Sequence, residues 1–222
     1  MPERAPIRTA APVALLAAGL LLTGCGTQAD SPAAKPAAVA PTSAAPAPAA
    51  EPGLTKPAAA AGSLGGAGTA CVLPVAFSLA KDWKPKAIET PEDPEFAALT
   101  RQGPAFAHCE VDAKPAGNIG FLRVWTVPKD KGPARAALEA FVKAEKKSSG
   151  VLYKKTRAGA LPAVEVVYTV RSEALDEKKQ ERAFAVDTPK GPVIVHLGGL
   201  DSEEHRAMLP AYELAKRSLT VR

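Results

Sequence analysis

The sequence predicts an α+β domain, a twisted antiparallel sheet covered by helices, preceded by a signal peptide and a disordered tether. Three observations carry this reading. Beyond residue 70, short apolar runs are separated by brief turns, and short turns favour antiparallel neighbours. Two amphipathic stripes at helical spacing, one after Gly132-Pro133 and one after Asp201, supply layers to cover such a sheet. Residues 26–70 show neither pattern; Ala, Pro, Gly and Ser/Thr dominate there and no aromatic residue occurs.

The elements follow in order. Residues 75–79 read as a strand ending at Lys81-Asp82-Trp83. Asp93-Pro94 opens a short helix, with Asp as N-cap and Pro in the first turn, and Gly103 can end it. Residues 106–112 and 119–127 form a hairpin around the Pro- and Gly-bearing turn 114–118. In 119–127, Ile119, Phe121, Trp125 and Val127 take one face and Leu122 and Val124 the other, so the strand is central and covered on both sides. Gly132-Pro133 begins a helix reaching about Ser148. Its buried stripe is Ala134, Ala137, Leu138, Phe141 and Val142; Lys143, Lys146 and Lys147 lie late in it, and Gly150 caps it. Strands follow near 151–157, 164–170, 182–187 and 193–197, with turns at 173–179 and 189–192 between the later ones. Asp201 caps the last helix with Glu204 three residues on. Met208, Leu209, Tyr212, Ala215 and Leu219 form its buried stripe, and Pro210 should distort its first turns.

Composition bounds the class. Hydrophobic residues make up 46% of the 222, but much of this is alanine in the first seventy positions, and only 5% is aromatic. These values exclude a polytopic membrane protein, a collagen, a long coiled coil and a disulfide-dense miniprotein.

The N-terminus is an address. Arg4 and Arg8 precede an uncharged apolar run over 10–22, and Thr23-Gly24-Cys25 follow, the layout of a secretory signal. The apolar run is too short for a permanent membrane span. Leu22-Thr23-Gly24-Cys25 resembles a bacterial lipobox. That resemblance implies a diacylglyceryl group on the Cys25 sulfur, cleavage between Gly24 and Cys25, and anchoring at the outer face of the cytoplasmic membrane. Residues 1–24 are then the signal peptide, and 25–70 carry the lipid and the disordered tether. Fully extended at about 3.1 Å per residue, this tether reaches roughly 140 Å. Residues 71–222 form the globular domain, with 24 basic and 20 acidic side chains, a net +4. That mild excess, in an exported domain, speaks against a nucleic-acid partner. Two cysteines remain, Cys71 and Cys109, and an even pair in an exported domain is most simply a disulfide. Two free buried thiols are the alternative.

The element order, the early stretch F-S-L-A-K-D-W and the closing helix L-P-A-Y-E-L-A-K-R-S-L resemble the PsbP-like fold. The layout of lipobox, Ala/Pro tether and such a domain is similar to actinobacterial secreted lipoproteins of the LpqN type. The resemblance implies a non-enzymatic partner of a larger assembly.

The residues offer little catalytic chemistry. No nucleophile elbow, zinc helix, P-loop or dinucleotide fingerprint occurs. His108, His196 and His205 lack metal-ligand spacing, so neither metal nor cofactor is expected. His196 reads as a hydrogen-bonded structural histidine. Glu203-Glu204-His205 sits in a first helical turn, where carboxylates favour the dipole. Cys109 and His108 point to opposite strand faces.

Arg123, in an apolar strand, needs a partner. Glu110 or Glu165 could supply one; otherwise Arg123 binds an anion beside Trp125. Lys146, Lys147, Lys154, Lys155 and Arg157 form a basic cluster spanning a helix end and the next strand. The default is a solvated face; the sharper reading is contact with anionic lipid or wall polymer. Taken together, the chain is expected to be an anchored binding or adaptor lipoprotein with an envelope protein or anionic lipid or polymer as partner. The alternative is a carrier holding a small or lipidic ligand between sheet and helices.

Overall fold

The computed structural model describes residues 55–172 and 176–222. The large sheet has the order β3-β5-β6-β10-β9-β8-β7, with β4 pairing β5, and the smaller sheet the order β1-β2-β11. Their strands are β1 (Ala60–Leu64), β2 (Val75–Ala80), β3 (Lys84–Ala87), β4 (Arg101–Gln102), β5 (Ala105–Asp112), β6 (Gly120–Thr126), β7 (Ser148–Ala158), β8 (Leu161–Ser172), β9 (Glu177–Val186), β10 (Val193–Gly199) and β11 (Thr220–Val221). Three α-helices join them: α1 (Pro94–Ala97), α2 (Ala134–Ala144) and α3 (Ser202–Ser218). All the strand pairs are antiparallel. The α+β class read from the sequence is the class of the structure.

The large sheet is covered on both sides. On one face α3 and the small sheet enclose Leu64, Phe77, Val111, Leu122, Val124, Phe184, Leu197 and Tyr212. On the other, α2 packs Leu138 and Phe141 onto Trp125, Val166, Tyr168 and Ile194. The alternation expected for β6 places Leu122 and Val124 in the first core and Trp125 in the second, and β6 lies between β5 and β10. β10 is buried along its whole length, as a central strand covered on both sides must be.

The structure corrects several of these expectations. The sequence extends the tether through residue 70, yet β1 lies at 60–64 and pairs with β2 (Ser63 with Ser78, Leu64 with Phe77). Alanine and glycine are poor strand formers alone, but here β2 supplies hydrogen bonds and Leu64 is fully buried. The signal peptide expected at 1–24 and the lipidated Cys25 with the tether to residue 54 lie outside the described residues.

Helix α2 ends at Ala144 rather than near Ser148, because Glu145 already has extended backbone and Ser148 and Ser149 pair with Val170 and Thr169. Lys146 and Lys147 therefore lie beyond the helix. Gly150 is no helix cap; it sits with φ 60° at the irregularity between Ser149 and Leu152 in β7.

Helix α3 runs through Pro210, since the buried stripe on either side outweighs one missing hydrogen bond. Asp201 caps it, accepting from the backbone N–H groups of Glu203 and Glu204 at 2.8 Å. Residues 177–179, expected to be turn, belong to β9, where Glu177, Lys178 and Lys179 pair with Ser172, Arg171 and Val170.

Candidate functional site

Cys71 and Cys109 form a disulfide with Cα atoms 6.0 Å apart. It ties the segment ahead of β2 to β5 in the large sheet. Closing a 38-residue separation, it restricts the unfolded chain by about 4 kcal/mol on the loop-entropy relation.

Arg123 is not placed to receive an anion with Trp125. Its guanidinium lies 2.6 Å from Glu110 across the β5–β6 ladder and 3.9 Å over the Phe121 ring. Of the two partners considered, Glu110 is the one; Glu165 serves another network. Trp125 is buried, edge-on to Phe141 at 5.2 Å, and presents nothing to solvent beside Arg123.

The basic cluster also divides. Lys154, Lys155 and Arg157 lie in the far half of β7, whereas Lys146 and Lys147 precede its start. At ~3.3 Å per residue, Lys147 and Lys155 are roughly 25 Å apart along the chain. They do not form one patch. β7 is an edge strand, and its lysines and backbone irregularity are the features that discourage pairing with a foreign strand.

Two buried polar networks hold the layers. Under α2, His196 Nε2 lies 2.7 Å from Glu181 Oε2 and 3.3 Å from the Tyr168 hydroxyl. Lys179 pairs with the other Glu181 oxygen at 2.8 Å and donates to the Gly199 carbonyl. Burial alone would raise the Glu181 carboxyl, but His196 and Lys179 more than reverse it, and the net shift is downward. Burial pushes the Tyr168 hydroxyl well above its ordinary range. His196 is thus the hydrogen-bonded structural histidine the sequence suggested.

Under α3, Glu165 is fully buried. Its Oε1 accepts from the Tyr212 hydroxyl at 2.9 Å and from Lys216 Nζ at 3.0 Å. Lys154 Nζ stands 3.1 Å from Oε2, close enough for charge attraction, although that oxygen gains no hydrogen bond. Lys216 also pairs with Glu213 at 2.7 Å, and Arg182 lies 3.9 Å from Glu165 and 4.0 Å from Glu213. Burial raises the Glu165 carboxyl, yet Lys216, Lys154 and the Tyr212 bond bring it below its ordinary value.

This second network floors an open groove of about 510 Å³ between β7 and the last turns of α3, lined by Lys155, Thr156, Arg157, Glu213, Lys216 and Arg217. Two other open grooves lie elsewhere: about 320 Å³ beside the disulfide at Val72, Phe106 and His108, and about 440 Å³ at Lys86, Ile88 and Glu110. Between sheet and helices aromatic rings pack together, Phe184 against Tyr212 at 5.5 Å on one side and Trp125 against Phe141 at 5.2 Å on the other.

The half of the groove supplied by α3 escaped the sequence reading, because Lys216 and Arg217 stand some sixty residues from β7 along the chain. A signal existed: Glu165 sits in the apolar run Val164–Val167, and a carboxylate there requires cations from a covering element.

Fold and groove define an α+β domain with two buried polar networks, one of which reaches an open basic groove. Residues 41–219 match the model of a family described as uncharacterised lipoprotein, and the chain belongs to that family. Membership carries a membrane-anchored or envelope location. The match begins well ahead of residue 71, in keeping with the strand at 60–64. No curated protein matches the chain. Among solved structures, the solution structure of the cyanobacterial PsbP of Synechocystis is similar at 15% identity with a TM-score of 0.46, covering 72% of this chain and 98% of that one.

Proposed function

We propose that this chain is a non-enzymatic binding or adaptor lipoprotein, of the kind that actinobacteria secrete with an LpqN-type domain. It is held at the outer face of the cytoplasmic membrane by lipid on Cys25 after removal of residues 1–24. One observation carries the reading. His196, Glu181, Glu165, Glu213 and Lys216, the buried groups best suited to acid–base work, are each engaged by another protein group. His196, Glu181 and Glu165 also sit beneath the helices, whereas Glu213 and Lys216 line the open groove and are paired with each other there. Surface grooves are what remains for recognition, as expected of a module that docks rather than converts.

Crosslinking in intact cells, followed by affinity capture of the tagged chain, tests this. The expected result is one stoichiometric envelope component, lost when Cys25→Ser removes the anchor. A co-purifying small molecule in native mass spectrometry would shift the reading to a carrier. Turnover of an envelope substrate by the pure chain would overturn it.

A further inference from the structure

The groove between β7 and α3 concentrates charge. Lys155, Arg157, Lys216 and Arg217 line it with Glu213, and Lys154 and Arg182 reach Glu165 in the network beneath. Six cations less two carboxylates leave +4, which equals the whole net charge of residues 71–222. The groove is therefore a local concentration of the domain's positive charge. The cations are also preorganised. Glu165 and Glu213 hold Lys216 in place, and the Gly159 N–H to Lys216 carbonyl bond at 2.8 Å fixes the end of β7 to α3. Lys155 and Arg157 rise on the opposite wall, and Arg157 is braced by the Ala160 carbonyl.

A second observation concerns where the chain enters the fold. The Ala58 N–H donates to the Pro210 carbonyl at 2.9 Å, so the segment arriving from the N-terminal side joins the domain along α3. Arg217 is seven residues further on the same helix, about 10 Å at ~1.5 Å per residue, and nearly the same face, since seven residues complete about two turns. The attachment point and the basic groove therefore share one side of the domain.

We infer that this groove docks the domain onto the anionic phospholipid headgroups of the membrane that carries its anchor. The inference rests on the lipoprotein reading above and names the surface it would use. A lipid-held domain samples the adjacent surface at high effective concentration, so weak contacts suffice. Each Lys or Arg near an anionic surface strengthens docking by a factor of roughly five. The groove's open form suits headgroups arriving in a plane.

The test uses the full lipidated chain in vesicles of pure phosphatidylcholine or with one third phosphatidylglycerol. A water-soluble acetylating reagent reads lysine exposure by mass spectrometry. Lys155 should be shielded several-fold on the anionic vesicles and not on the neutral ones, while Lys114 and Lys129, away from the groove, react equally on both. High salt should restore Lys155. In R157Q/R217Q, two charges fewer should weaken docking roughly 25-fold and return Lys155 to its neutral-vesicle rate; the melting temperature confirms that this variant folds.

Equal labelling of Lys155 on both vesicles overturns the inference, as does shielding that survives salt or R157Q/R217Q. Shielding by soluble poly(glycerol phosphate) but not by anionic vesicles overturns it in favour of a wall polymer. Capture of one envelope protein with Lys155 unshielded by lipid would keep the binding reading and defeat this one.

Discussion

His205→Leu should remove much of the acid sensitivity of this fold. His205 is 1% exposed in the first turns of α3, and neither ring nitrogen has a hydrogen-bond partner. Burial lowers its pKa from 6.5 to about 4, with Arg182, His196 and Arg206 adding to the effect and Glu181 opposing it. The folded state thus keeps the ring neutral while the unfolded chain takes up a proton below pH 6.5. Stability falls as pH drops from 6.5 toward 4 and levels off below. Between pH 7 and pH 4.5 the linkage relation gives a loss of about 2 kcal/mol from this residue alone. Glu165 and Glu181 contribute in a different window. Their folded values lie below 4.5, so their stabilisation is lost only as pH falls beneath that. Urea unfolding of the wild type and of His205→Leu at pH 7 and pH 4.5 isolates the residue. The leucine should be neutral or mildly stabilising at pH 7, since a buried ring without partners gives way to an apolar group. The wild type should then lose about 2 kcal/mol more than the variant on acidification. Equal losses in the two proteins would refute the assignment of the pH dependence to His205.

The other predictions concern the staple and the ion pairs. Cys71→Ser/Cys109→Ser should lower unfolding free energy by about 4 kcal/mol in urea titrations, and an unchanged midpoint would show that the loop constraint is not what stabilises this edge. Lys216→Met leaves Glu165 and Glu213 short of their nearest cation and should cost about 3–5 kcal/mol; Glu165→Met/Lys216→Met should recover much of it in a double-mutant cycle, and strict additivity would contradict the coupled network. Arg123→Met should cost under about 1 kcal/mol, because its pair with Glu110 is about a third exposed and solvent screens it; a several-fold larger loss in thermal melts would mean that the pair is structural.

Much of this chain is local in origin. Alternation in β6 and β10, the Asp201 cap and the two helical stripes follow from side-chain period and capping chemistry, and they were legible residue by residue. The cysteine pair needed only its count and compartment.

Tertiary structure decided the rest. β1 has no strand signal of its own; pairing with β2 and the pocket for Leu64 make Ala60–Leu64 a strand. Glu110 was one of two candidates for Arg123, and only the β5–β6 register, which sets Glu110 opposite Arg123, selects it. The basic residues that looked like one cluster divide because a strand carries side chains apart at ~3.3 Å per residue. Lys155 and Arg157 are completed by Lys216 and Arg217 instead. The cause is distance in sequence: period and propensity report on neighbours along the chain, whereas a groove between an edge strand and a covering helix exists only once the layers have packed.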